Sequence, residues 1–200
     1  MTSSGAVGPR NTEERLAAVT IGPRQPHNAP VELAPYDPQW PQQFADLAAR
    51  VRAALGDRIL RLEHVGSTSV PGLSAKPTID MVLEVESTAD EASYVPPLKA
   101  RAFTLRIREP DWFEHRLLKS TQPAANLHVF SAGCPEIERM LAFRDRLRTN
   151  DEDRAVYERT KIALAARTWV HVQDYADAKS DVVRAILERA TREHRPNRTP

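Results

Sequence analysis

The 200-residue sequence predicts an α+β fold with a helical C-terminal part. Three observations carry that prediction. Apolar segments of strand length alternate with helically spaced ones between about residues 31 and 130. From Pro135 onward the apolar spacing is helical throughout. The apolar residues make up 41% of the chain and include all three aromatic types, enough for one globular core. Strands interleaved with helices, then a run of helices, belong to the α+β class.

Residues 1–30 read as a mobile N-terminal arm. Gly5, Gly8, Pro9, Gly22, Pro23, Pro26 and Pro30 punctuate it, and its one apolar cluster, Leu16 to Ile21, is long enough only for a brief helix or strand. The domain proper is expected over 31–192, with 193–200 a loose tail. Val31 to Ala34 is a short strand candidate. Asp37-Pro38 supplies an N-cap and a proline at the first helical position. Trp40, Phe44, Leu47, Ala48, Val51 and Leu55 follow at helical spacing, and Gly56 closes that helix. Strands are predicted at Ile59–Val65, Ile79–Val85, Phe103–Ile107, Arg116–Lys119 and Leu127–Phe130. A helix is predicted over Ala89 to Leu98, cut at its end by Pro96-Pro97. After Pro135, one stripe runs through Ile137, Met140, Leu141 and Leu147. A break at Asn150-Asp151 starts a second helix through Val156, Ile162, Ala163, Ala166 and Val170. Val182, Val183, Ile186, Leu187 and Ala190 form a third stripe.

Composition narrows the function classes. Lys+Arg 28 nearly cancels Asp+Glu 27, so the net charge of +1 gives no reason for non-specific nucleic-acid or membrane binding. A local basic pocket is compatible with that balance, because net charge says nothing of distribution. Cys134 is the single cysteine, so no internal disulfide and no cysteine-based zinc site can form. No apolar run approaches the roughly 20 residues of a membrane span. No signal-peptide core opens the chain, and a cytoplasmic location is the expectation.

The segment from His64 to Asp80 carries the strongest chemical signal. A predicted strand runs into Gly66-Ser67, the chain turns at Pro71-Gly72, and an apolar strand opens with Asp80. Backbone N–H groups at a Gly-Ser turn can hold phosphate. A carboxylate on the next strand can hold Mg²⁺ against it. Lys76, held extended by Pro77, approaches the same carboxylate. An ordinary strand–turn–strand, with Asp80 paired to Lys76, would satisfy the same spacing. Asp80, Val82 and Glu84 share one strand face. The second position that would complete a metal-binding pair is Val82, and Glu84, about 13 Å from Asp80, is too far to share an ion.

His128 shares a face with Asn126 and Phe130, where it could bind phosphate, coordinate a metal or simply pack. Arg116 and Lys119 lie on the strand before it. Arg144 falls near the apolar face of its helix, four after Met140 and three before Leu147, where a cation needs a partner or a ligand. Lys161 lies among interleaved charges that would otherwise form a solvated face.

Taken together, the motifs resemble the GrpB family, a branch of the nucleotidyltransferase superfamily with its DNA polymerase β-like fold. The resemblance covers about Val31 to Ala190. Its marks are Val31-Glu32-Leu33, Asp37-Pro38-x-Trp40, His64 to Gly72, Ala75 to Asp80, Leu127-His128-Val129-Phe130, Phe143-Arg144-Asp145-x-Leu147-Arg148, Tyr157-x-x-x-Lys161 and Asp174 to Lys179. It implies a nucleotidyltransferase-like mixed sheet flanked by helices. It also implies a link to nucleotide or coenzyme A metabolism, since family members occur alone or fused to dephospho-CoA kinase.

Two functions follow as expectations. In the first, the chain is a Mg²⁺-dependent nucleotidyltransferase acting on a small molecule. Gly66 and Ser67 would cradle the phosphates and Asp80 would hold the metal. Lys76, Arg116, Arg144 and Lys161 would neutralise charge, and His128 would act beside Asp80 as ligand or acid/base. In the second, the chain is a non-catalytic binder of a nucleotide or CoA-related phosphate ligand, chemistry having gone with the second carboxylate.

Overall fold

The computed structural model describes residues 13–23 and 28–193. Its centre is a five-stranded mixed sheet, built from β1 (Arg61–Val65), β2 (Ile79–Val85), β3 (Thr104–Glu109), β4 (His115–Thr121) and β5 (Ala124–Ser131). The strand order is β1-β2-β5-β4-β3. β2 and β5 pair in parallel at the centre, and every other neighbour is antiparallel.

Strand parity divides the residues between two faces. Ile79, Met81, Leu83 and Val85 of β2, with Leu127 and Val129 of β5, point to one face. Two helices cover it, α2 (Trp40–Leu55) and α3 (Glu91–Lys99). Trp40, Leu47, Ala48, Val51, Leu55, Tyr94 and Leu98 fill the layer between. Each large apolar side chain buried there contributes about 1.5–3 kcal/mol. Asp80, Val82 and Glu84 point to the other face, with Asn126, His128 and Phe130 in register beside them.

The C-terminal helices stand over that second face: α4 (Pro135–Thr149), α5 (Asp151–Ala165), α6 (Val172–Asp177) and α7 (Ser180–Glu193). α4 covers Val65, Val82 and Phe130 with Ile137, Met140 and Leu141. Val70 and Leu73, from the turn after Gly66, join Leu147, Tyr157 and Ile186 in a second cluster. Asp153 locks α4, α5 and α7 together. It is buried, and it accepts from Arg146 of α4 and Arg189 of α7. The Asn150 side chain caps α5 by accepting from Asp153 N.

All five predicted strands form, most of them longer than expected. Val31 to Ala34 is no strand: Val31 N bonds to Ala165 O and Ala34 makes one bridge, to Ala75. Asp37 accepts from Gln39 N in a turn, and α2 starts later, at Trp40-Pro41. Pro96-Pro97 does not cut α3, because Tyr94 and Leu98 are fully buried and hold the short helix onto the sheet. α5 buries Tyr157, Lys161 and Leu164 and leaves Ile162 exposed, so its inward face is rotated from the expected stripe. α6 is an addition to the predicted elements. Within the expected arm, α1 (Glu13–Val19) lies against β3 and Ile21 N bonds to Arg106 O. Residues 1–12 and 24–27 of the arm, and 194–200 of the tail, fall outside the described residues.

Candidate functional site

The described residues cover the second sheet face only in part, and the remainder forms a groove of about 2250 Å³ between the sheet, α1 and the C-terminal helices. A single small-molecule pocket typically measures about 300–1,000 Å³, so the groove is large enough for a nucleotide-sized ligand. Its chemistry gathers at the C-terminal end of β1 and the start of β2.

Gly66 and Asp80 are pressed together there. Val65 pairs with Asp80 across the β1–β2 ladder, and Gly66 then turns away with φ of +67°. A Cβ on Gly66 would lie 2.5 Å from Asp80 Oδ2. The following turn, Ser67–Ser69, is tied down on every side. Thr68 Oγ1 lies 3.1 Å from His64 Nε2 and donates to Thr78 O, Ser69 Oγ donates to Gly66 O, and Arg148 of α4 donates to Ser69 O. Ser67 faces the groove, within hydrogen-bonding reach of the Tyr157 hydroxyl. Across from it, Asn126 Nδ2 donates to Asp80 Oδ1 at 2.8 Å.

Four lysines surround this carboxylate: Lys76 before β2, Lys119 of β4, Lys161 of α5 and Lys179 between α6 and α7. Lys76 is exposed and Lys161 is 2% exposed. Among the described residues, none of the four lies within ion-pair distance of a carboxylate. Lys161 Nζ donates to Ser74 O, and the Lys179 ammonium stands 4.1 Å from the centre of the Tyr175 ring. Burial pushes Lys161 down to about 7, with Lys179 adding to the effect. Burial likewise pushes Lys179 down to about 8, against the pull of Asp80. Asp80 is raised by burial in spite of Asn126 and the lysines. The Tyr175 hydroxyl is buried on the groove wall without a hydrogen-bond partner among the described residues. The groove therefore presents ammonium groups and a spare hydroxyl where an anion can be received.

Of the sequence-predicted site residues, Gly66, Ser67, Lys76, Asp80, His128 and Lys161 all line this groove. Asp80 and His128 sit on adjacent strands, two positions apart in register, which sets their Cα atoms about 8 Å apart. Arg116 is not brought there. It points to the opposite face and binds Glu91 at 2.6 Å, together with the carbonyls of Glu114 and His115. Arg144 is not brought there either: it bonds Glu63, His64 O and Asp145, fastening α4 to β1. The internal partners that a buried cation needs are thus supplied. Sequence reasoning passed over Lys119, Lys179, Tyr175 and Asn126 as site residues. Strand parity alone separates Lys119 from Arg116, three residues apart and so on opposite faces.

The donor set does not suit a two-metal centre. The position for a second carboxylate, Val82, is 1% exposed and packed beneath Ile137 of α4. Asp80 has one oxygen taken by Asn126 and lysines close by. No group of three His, Cys, Asp or Glu side chains among the described residues could hold a metal ion. No helix among them is long and apolar enough to cross a membrane.

An α+β sheet with an anion-receptive groove, closed on one side by four helices, defines the class. The chain belongs to the GrpB protein family, whose pattern it matches over residues 30–189. It is 55% identical over 190 residues to a UPF0157 protein of Halalkalibacterium halodurans, covering 95% of this chain and 97% of that one. It is 32% identical over 199 residues to a dephospho-CoA kinase of Mycolicibacterium paratuberculosis, covering 86% of this chain and 49% of that longer protein. Among solved structures, the GrpB protein of Enterococcus faecalis superposes with a TM-score of 0.68 at 27% identity, covering 82% of this chain and 99% of that one.

Proposed function

We propose that the groove binds a nucleotide or a CoA-related ligand through its phosphates, with lysines 76, 119, 161 and 179 as the counter-charge. The observation that carries this reading is the set of ammonium groups that lack, among the described residues, a carboxylate partner at ion-pair distance, three of them (Lys119, Lys161 and Lys179) with pKa values pushed down by burial. A buried ammonium costs free energy unless paired, and a bound phosphate pairs it. The match to one half of a dephospho-CoA kinase supports the same ligand chemistry. We infer a cytoplasmic location from that class of ligand.

Nucleotidyl transfer to a small-molecule acceptor is the second reading. It is favoured by His128 standing beside Asp80 on the neighbouring strand, both lining the one groove. In both readings the lysines supply the neutralisation that two Mg²⁺ ions would give, so Mg²⁺ dependence is weak.

Calorimetric titration with ATP, CTP, GTP, UTP and dephospho-CoA, each with and without Mg²⁺, tests the proposal. Binding of at least one, weakened at least tenfold in Lys179→Met and little changed by Mg²⁺, is the expected result. Absence of binding by all five under both conditions overturns it.

A further inference from the structure

Three side chains on the groove face form a chain that anion binding does not require. Glu109 of β3 pairs in register with His115 of β4, and His115 reaches across to His128 of β5. Glu109 Oε2 lies 2.7 Å from His115 Nδ1. His115 Nε2 lies 3.0 Å from His128 Nδ1. The two imidazoles are nearly coplanar in direction, 23° apart, and Trp112 and Phe130 wall in the His115 ring. His115 is 3% exposed, against the half-buried His128, so His128 is the ring of the pair more open to the groove.

Hydrogen-bond accounting fixes where the protons sit. A carboxylate can only accept, so His115 carries its hydrogen on Nδ1. The Nε2 of a neutral His115 is then bare and accepts from His128, which must carry its own hydrogen on Nδ1. The remaining nitrogen, His128 Nε2, is left with a free lone pair. Each ring is oriented by the group behind it, the arrangement by which a carboxylate holds a catalytic histidine in one tautomer.

We propose that Glu109–His115–His128 is a proton relay that makes His128 Nε2 the base for an acceptor hydroxyl in the groove. The proposal rests on the phosphate-ligand reading and supplies the chemistry for transfer. His128 is the group that touches the acceptor; His115 and Glu109 are positioning residues. The acceptor O–H gives its proton to His128 Nε2 as its oxygen forms a bond to the α-phosphorus of a nucleoside triphosphate. The phosphoanhydride bond to the leaving pyrophosphate breaks, and its electron pair leaves with the pyrophosphate. His128 passes its Nδ1 proton to His115 Nε2 and stays neutral, while the positive charge comes to rest on His115 beside Glu109. The reverse shift, with loss of the Nε2 proton to solvent, restores the start. Burial holds His128 down to about 3, so the ring alone retains a proton poorly, and handing the charge to His115 offsets that weakness.

Long-range ¹H–¹⁵N correlation spectra of histidine-labelled full-length protein at pH 7.5 test the relay directly. His115 and His128 are both expected as the Nδ1–H tautomer, with bare Nε2 signals. In Glu109→Gln the carboxamide can either accept from or donate to His115 Nδ1, so both rings are expected to lose their single tautomer and populate a mixture. His115→Phe, as a second variant, releases His128 to a mixture of tautomers. A wild-type His128 protonated on Nε2, or a His128 tautomer unmoved by either variant, overturns the proposal. ATP titration of the same samples keeps the two readings apart: Glu109→Gln is expected to bind as wild type does. Failure of every triphosphate to bind removes the phosphate reading, and with it the role of base, whatever the tautomers are.

Discussion

Gly66 has no room for a side chain. Its φ of +67° costs an alanine about 1–2 kcal/mol. A methyl pressed onto Asp80 adds about 1–3 kcal/mol of overpacking. Gly66→Ala is therefore expected to lower the urea midpoint markedly, and a midpoint equal to wild type would show that the turn yields freely. Two histidines make a second prediction at this scale. Burial lowers His64 to about 4 and His128 to about 3. An unfolded histidine titrates near 6.5, so between these values the unfolded chain binds more protons than the folded one. Stability should hold above pH 6.5 and fall as pH drops toward 4, by at most about 1.4 kcal/mol per pH unit for each ring. Urea unfolding at pH 5 and pH 7 measures the difference, and His128→Asn should reduce it.

Among the elements, α4 is positioned by ion pairs rather than by apolar burial alone. Arg144 ties it to Glu63 and His64 O at one end of the sheet. Arg144→Met is expected to destabilise by about 1–3 kcal/mol, since charged hydrogen bonds are lost, while ATP affinity stays as in wild type. A loss of affinity without loss of stability would return Arg144 to the ligand. Much of this layer was legible in the sequence. The Ile79–Val85 strand, the Gly56 stop and the Asn150 cap all follow from local rules, because nearby residues decide them. Facing was harder to read. Lys161 read equally as a phosphate ligand or as part of a solvated row of charges, because its partner, Ser74 O, is 87 positions away in sequence. Arg116 looked like a ligand for the same reason, its carboxylate partner lying on α3. Which cations are satisfied and which are spare is a tertiary property that a one-dimensional pattern does not hold.

For the whole molecule, the groove costs stability that a ligand would return. Lys161 and Lys179 titrate at about 7 and 8, below the unfolded value near 10.5. Between those values the unfolded chain holds more protons, so the apo protein gains stability as pH rises through that window. An anion favours the charged lysines, so ATP binding at pH 8 should take up protons and weaken as pH rises further. Calorimetry in buffers of different ionisation enthalpy reads that uptake directly. Lys179→Met should raise the melting temperature of the apo protein and blunt the shift produced by ATP. In the wild type that shift corresponds to about 2.7 kcal/mol at a hundredfold excess over Kd. A variant less stable than wild type would place the Lys179 ammonium among the fold's own supports.

The parallel ladder at the heart of the sheet has one more consequence. It joins residues such as Asp80 and Asn126, 46 positions apart, while β3, β4 and β5 form a meander that can pair locally. As the chain leaves the ribosome, the first two strands must wait for that meander to emerge before their inner edge is covered. Lys161 and Lys179 arrive later still. The nascent protein thus sets Asp80 beside Lys76 and Lys119 first, and gains Lys161 and Lys179 only after the whole sheet has emerged.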